Sequence, residues 1–181
     1  TDVSGFDAKS SQGVVIKHEE YVVAAFRGTD EIADWLDNLN AVATPGPLVE
    51  VHTGFHRALM DIWPQMKTTI RTFRRTSDKL PDRPLWITGH SLGSAMATLA
   101  AATLIEADET FYGTYTFGSP RVGDRVFART FNVEAKKKSS GFRTTADIVT
   151  RVPARLMGLQ PRGIVRVYFR KRPTQRRRGL V

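Results

Sequence analysis

The stretch Thr88-Gly-His-Ser-Leu-Gly93 constrains this chain more than any other. It fits G-x-S-x-G around Ser91, and its flanks supply the context that the pattern needs. Pro84-Leu-Trp-Ile-Thr88 reads as a short buried strand, and Ser94-Ala-Met-Ala-Thr-Leu-Ala-Ala-Ala-Thr-Leu-Ile105 reads as an apolar helix. Strand, sharp turn and helix in that order predict an elbow that holds Ser91 in a strained turn with its hydroxyl projecting into a site. Gly89 and Gly93 lack the Cβ atoms that would collide where the two elements meet. A turn serine without chemistry is the alternative. The flanking strand and helix favour a nucleophile.

At 181 residues and 41% hydrophobic, the chain is long enough for one domain with a proper core. Residues 1–169 are expected to form that domain and 170–181 a basic tail. No apolar run approaches the ~20 residues that span a bilayer, and the N-terminus carries no basic-then-apolar signal pattern. Localisation stays open, secretion included. The absence of cysteine excludes disulfides and a Cys nucleophile together. The formal charge is +9, but Arg162, Arg166, Arg170, Lys171, Arg172, Arg176, Arg177 and Arg178 supply nearly all of the excess. Basicity therefore belongs mostly to the C-terminal end and should not be read as a property of the fold. A solvated terminus is the expected reading, with weak contact to an anionic surface as the functional one and no specific nucleic-acid partner.

Val14-Val-Ile16 and Tyr21-Val-Val-Ala-Ala-Phe26 read as a hairpin, the second strand apolar on both faces and hence central. Ile32, Trp35, Leu36 and Leu39 recur at helical spacing before the Pro45-Gly-Pro47 break, giving a short amphipathic helix between two loops. A longer helix is expected over roughly Phe55 to Thr76, with Pro64 imposing a kink or a late start. Beyond the elbow come a strand at Phe111 to Phe117, a helix from Arg125 to Phe131, and strands at 141–145 and 164–169. Strands alternating with helices predict an α/β fold, a mostly parallel central sheet covered on both faces.

Five blocks then line up: Phe26-Arg-Gly-Thr29, Val51-His-Thr-Gly-Phe55, the elbow, Phe117-Gly-Ser-Pro-Arg-Val-Gly123 and Asp147-Ile-Val149. In that order they resemble the fungal-type, class 3 triacylglycerol lipases, a branch of the α/β-hydrolases. The resemblance covers roughly residues 20 to 160, and against full-length members the chain looks compact or N-terminally truncated. It implies a carboxylic-ester hydrolase acting on acyl glycerols or related esters at a lipid–water interface; no metal cluster or phosphate-cradling loop is visible in the sequence, so no cofactor is expected.

Ester hydrolysis needs a nucleophile, a base, an acid that orients the base, and donors for the developing oxyanion. Ser91 fills the first role, and the backbone N–H of Leu92, the residue after it, is one oxyanion donor. By resemblance Thr29 is the second donor and Asp147 the acid, with Asp124 as the rival carboxylate. The helix carrying Ile32, Trp35, Leu36 and Leu39 matches the family's lid, which covers an apolar site in water and rolls aside at an oil surface. A permanently packed surface helix is the alternative.

The base does not follow the pattern. The four histidines, His18, His52, His56 and His90, all precede Asp147. Relatives resemble Met-Gly-Tyr-Ser-His-Val-Gly where this chain has Met157-Gly-Leu-Gln-Pro-Arg-Gly163, so the histidine position falls on Pro161. Proline can neither take a proton from Ser91 nor hydrogen-bond Asp147 through its side chain. None of the four histidines is an obvious substitute: His90 is expected to pack beneath the elbow, and His52 and His56 belong to a block the family uses structurally. With codons TAC AGC CAC GTG GGN assumed for Tyr-Ser-His-Val-Gly, one added C in front reads Leu-Gln-Pro-Arg-Gly, as at 159–163. The gene's nucleotides test that reading-frame slip: codons that no single-base shift realigns remove it.

Overall fold

A computed structural model of the chain describes residues 1–9, 11–28, 43–77, 80–138 and 142–143. Its centre is a mixed six-stranded sheet. Strands β1 (Asp2–Ala8), β2 (Ser11–Lys17) and β3 (Val22–Phe26) form an antiparallel meander. A two-stranded hairpin, β4 (Ala43–Pro45) with β5 (Glu50–His52), leads into helix α1 (Thr53–Arg74). Next come β6 (Leu85–His90), α2 (Leu92–Glu106), β7 (Gly113–Phe117), α3 (Arg125–Lys138) and the two-residue β8 (Phe142–Arg143). The sheet order is β1-β2-β3-β6-β7-β8, parallel from β3 onward. A central mixed sheet flanked by helices is what the strand–helix alternation predicts, but the helices among the described residues share one face where cover on both was expected.

β3 is central, as expected, but only one of its faces is fully buried, Val23 and Ala25 on the other being partly exposed. Val22, Ala24 and Phe26 are buried and stand in register with Leu85, Ile87 and Gly89 of β6. The crossovers β3 to β6, β6 to β7 and β7 to β8 all advance in one direction, and the right-handed rule puts their helices on one face of the sheet. Contacts of α1 with α2 and of α2 with α3 agree with that placement. Every residue of α2 except Thr103 and Glu106 is buried, the expected state of a helix that is apolar all round. Full burial of a side chain such as Leu99 is worth roughly 1.5–3 kcal/mol.

The sequence leaves α1 two options at Pro64, and the helix starts on time, at Thr53. Pro64 lies on the exposed side, opposite Phe55, Leu59, Ile62, Trp63, Met66 and Ile70, so water can reach the Met60 carbonyl that loses its i+4 donor. Two elements exceed the sequence reading. Helix α3 runs on to Lys138, where a lysine run suits a helix C-terminus. Strand β1 has no apolar run of its own, yet pairs along its length with β2 from Asp2↔Lys17 to Ala8↔Ser11. Among the described residues no helix is long and apolar enough to cross a membrane.

Candidate active site

Ser91 stands between β6 and α2 with φ 52° and ψ −122°, a conformation that L-residues rarely adopt. Crowding shows why the flanking glycines are needed. A Cβ on Gly89 would lie 2.1 Å from the Gly93 carbonyl oxygen, and one on Gly93 would lie 2.2 Å from that of Phe26. Strand β6, helix α2 and the end of β3 therefore touch backbone to backbone. A third glycine, Gly28, brings in the chain after β3: its Cβ would meet the His90 carbonyl oxygen at 2.7 Å and Ser91 Cβ at 3.5 Å. The end of β7 is tied in as well, because Ser91 N–H donates to the Phe117 carbonyl at 2.9 Å.

The serine thus sits at the carboxyl ends of β3, β6 and β7, where open α/β sheets place their ligands. It is only 2% exposed, while Phe117 beside it is 47% exposed. Its side chain makes no capping hydrogen bond to α2. Its carbonyl accepts from Ser94 N at 2.9 Å and Ala95 N at 3.3 Å, closing the first turn. Leu92 opens α2, where the N–H of a first helical residue has no intrahelical acceptor and the helix dipole favours negative charge.

The model of the Lipase (class 3) family matches residues 23–157. The chain belongs to the class 3 lipase family. It is 34% identical over 142 residues to secreted mono- and diacylglycerol lipase 1 of Fusarium solani, covering 76% of this chain and 40% of that protein. With the chloroplastic phospholipase A(1) DAD1 of Arabidopsis thaliana it shares 33% over 155 residues, 73% of this chain and 33% of the relative. Among solved structures, a mutant form of MDLA from Penicillium cyclopium superposes with a TM-score of 0.64 at 27% identity, over 85% of this chain and 58% of that one. The class 3 lipase chain described here therefore spans less than two thirds of each of these relatives.

Within this class 3 lipase fold two of the four histidines, His18 and His52, have other partners. His18 stacks on Tyr21, and its Nδ1 accepts from Glu20 N at 3.2 Å. His52 is buried and precedes α1, where its Nδ1 accepts from Gly54 N at 3.1 Å. That bond places the proton on Nε2, which has no acceptor among the described residues. Burial holds both His52 and His56 below the ordinary imidazole value. His90 is exposed, contrary to the expectation that it packs beneath the elbow. Alternation explains it: Gly89 faces α2, so the next residue in β6 faces away.

Asp124 accepts from Phe127 N at 2.8 Å through Oδ1, and its carbonyl accepts from Ala128 N at 3.1 Å, the geometry of a helix cap for α3. Thr29, the lid positions Ile32, Trp35, Leu36 and Leu39, Asp147 and Pro161 lie outside the described residues. The sequence reading missed two contributors, Gly28 and Ser94. Gly28 was visible as the centre of Arg-Gly-Thr, whereas nothing in the pattern marked Ser94.

A cleft of about 630 Å³ opens at the far end of α2, lined by Arg71, Arg74, Asp82 and Glu109 among others. It carries no chemistry, since its arginines are engaged: Arg71 with Glu109 at 2.8 Å and Arg74 with the Thr110 carbonyl at 2.8 Å. Among the described residues no group of three or more His, Cys, Asp or Glu side chains could hold a metal ion.

Proposed function

We propose that this chain is the catalytic core of a serine carboxylic-ester hydrolase for acyl glycerols or related esters, with Ser91 as its nucleophile. The observation that supports it best is the backbone of Ser91, held at positive φ by two glycine-dependent contacts while its hydroxyl is left uncapped. Such strain persists where the surrounding structure over-determines it, and it leaves Oγ available for attack.

In this reading Ser91 Oγ attacks the ester carbonyl and a base takes its proton. The tetrahedral oxyanion is held by Leu92 N–H and by Thr29, just beyond the Gly28 that packs on Ser91. Collapse expels the alcohol, and water then releases the acid from the acyl-enzyme. Asp147 is the carboxylate that orients the base, and Ile32, Trp35, Leu36 and Leu39 form an apolar cover that opens at a lipid surface. The mono- and diacylglycerol lipase and the phospholipase A(1) among the relatives point to glycerolipids as the substrate class.

Among these 181 residues no histidine follows Asp147, and the base position falls on Pro161. Turnover by the chain as it stands is accordingly expected to be weak, the oxyanion donors and binding giving what remains. The test is hydrolysis of p-nitrophenyl esters of graded chain length by the parent, Ser91→Ala and Pro161→His. Residual activity lost in Ser91→Ala and raised by about 10²-fold or more in Pro161→His is the expected result. An active parent that Ser91→Ala does not affect overturns the assignment. The missing histidine also favours a second reading, a lipid-binding protein that keeps the fold without turnover. Retained binding of a fluorescent diacylglycerol, with no hydrolysis even in Pro161→His, selects it.

A further inference from the structure

We propose that Ser94 is a positioning residue of the oxyanion site, which holds and polarises the Ser91–Leu92 peptide from its carbonyl end. The inference rests on the reading of Leu92 N–H as an oxyanion donor. A peptide group is a rigid plate, so the Ser91 carbonyl and the Leu92 N–H point in opposite directions and turn together. Three donors converge on that carbonyl: Ser94 N at 2.9 Å, Ala95 N at 3.3 Å and Ser94 Oγ at 2.5 Å. The hydroxyl bond is the shortest, and Ser94 is 0% exposed, so water cannot replace it.

The two backbone bonds already satisfy the carbonyl. A third donor therefore serves its orientation and polarity. Drawing electron density to the oxygen makes the N–H at the other end of the plate a better donor, by about 10–30% per added bond in condensed-phase estimates. It also pins a peptide whose first residue has φ 52° and ψ −122°, outside the ordinary wells.

The contrast with other hydroxyls supports a particular role. Thr68, Thr72, Thr98 and Thr103 each donate to the carbonyl four residues back, the usual helical back-bond. Ser94 instead reaches three residues back, to the residue that carries the candidate nucleophile. Oxyanion catalysis depends on donors fixed before charge develops, and this bond fixes one of them.

The full chain carrying Ser94→Ala or Ser94→Cys tests the proposal, with Thr98→Ala as control. Alanine removes one atom at a good helix position, so the variant is expected to fold. With ¹³C at the Ser91 carbonyl and ¹⁵N at Leu92, Ser94→Ala should move the carbonyl carbon and the Leu92 amide proton upfield, and Thr98→Ala should move neither. Unmoved signals in Ser94→Ala overturn the proposal whether or not the protein turns over ester.

For p-nitrophenyl butyrate, measured in the parent and in Pro161→His, Ser94→Ala should lower kcat about three- to tenfold at constant KM, less than loss of a direct donor. Cysteine, a weak donor, should fall between. A change in KM alone, or a kcat loss that tracks thermal stability, overturns the positioning role. If Ser91→Ala leaves turnover intact, the hydrolase reading falls, and the labelled carbonyl still decides on Ser94.

Discussion

Helices α1 and α2 begin in opposite ways. At the start of α1, His52 has an ordinary extended backbone (φ −65°, ψ 121°), and its ring accepts a first-turn N–H. At the start of α2, Ser91 has φ 52° and ψ −122°, and its side chain caps nothing. Serine is among the best capping residues, so an uncapped serine at a helix start forgoes about 1 kcal/mol of ordinary stabilisation. A capped start closes its helix, whereas this one leaves the Ser91 hydroxyl and the Leu92 N–H without a cap, open to a ligand. Helix α3, which starts on the Asp124 carboxylate, behaves like α1. Stability and proposed chemistry are thus divided among three helix starts of one sheet.

The harshest way to break this contrast is a methyl group at Gly93. Its Cβ would lie 2.2 Å from the Phe26 carbonyl oxygen and 2.8 Å from the carbonyl carbon, and backbone cannot swing aside as a flexible side chain can. Gly93→Ala is expected to cost at least about 4 kcal/mol in urea unfolding, or to prevent soluble folding. Gly5→Ala on β1, where a Cβ meets nothing within 4 Å, should stay within about 0.5 kcal/mol of the parent. A well-tolerated Gly93→Ala would mean that α2 does not press on β3, and the strain at Ser91 would lose its cause.

How much the sequence disclosed follows the range of the forces involved. The elbow was legible because its determinants are local: two glycines, an apolar strand and an Ala-rich helix in succession. The central place of β3 was legible from its unbroken apolar run, although only the face carrying Val22, Ala24 and Phe26 is fully buried. Strand β1 was hidden, since Asp2-Val-Ser-Gly-Phe-Asp-Ala8 becomes a strand through pairing with β2 and not through its own pattern. The exposure of His90 and the capping by His52 depend on which way a residue faces once the sheet exists. Ser94's bond to the Ser91 carbonyl depends on the unusual backbone at Ser91, which no spacing rule encodes. The roles of Thr29, Asp147 and the lid helix remain carried by resemblance, and they are the positions on which the proposed chemistry has most to gain from mutation.

The capped start of α1 should make the fold sensitive to acid in a way that α2 is not. Burial holds His52 below the ordinary value of 6.5, and the neutral ring is the form that accepts from Gly54 N. As pH falls through about 6.5 the unfolded chain takes up a proton that the folded chain refuses. Stability is therefore intact above that pH and is lost as pH drops toward the lower folded value, at up to about 1.4 kcal/mol per pH unit for one such group. His56, also held low by burial, adds to the slope with the same sign. Urea unfolding from pH 7.5 to 5 should show this decline. His52→Asn, which keeps a capping side chain without a titrating ring, should reduce the slope to the part that His56 supplies. An unchanged slope would remove His52 as its source.

The smallest expected effect sharpens the comparison at α3. Asp124→Ala should cost about 1 kcal/mol by removing the bond to Phe127 N, and Asp124→Asn only a few tenths, since an amide oxygen still caps and only the charge near the helix dipole is lost. Asp124 was the rival to Asp147 as the triad acid, and one pair of variants separates the two. In the Pro161→His background, Asp124→Asn should leave ester hydrolysis unchanged, whereas Asp147→Asn should lower kcat by about 10⁴-fold, as a mis-oriented base does. A kcat loss confined to Asp124→Asn would exchange the two assignments, because a carboxylate that only caps a helix has no means of acting on the chemistry at Ser91.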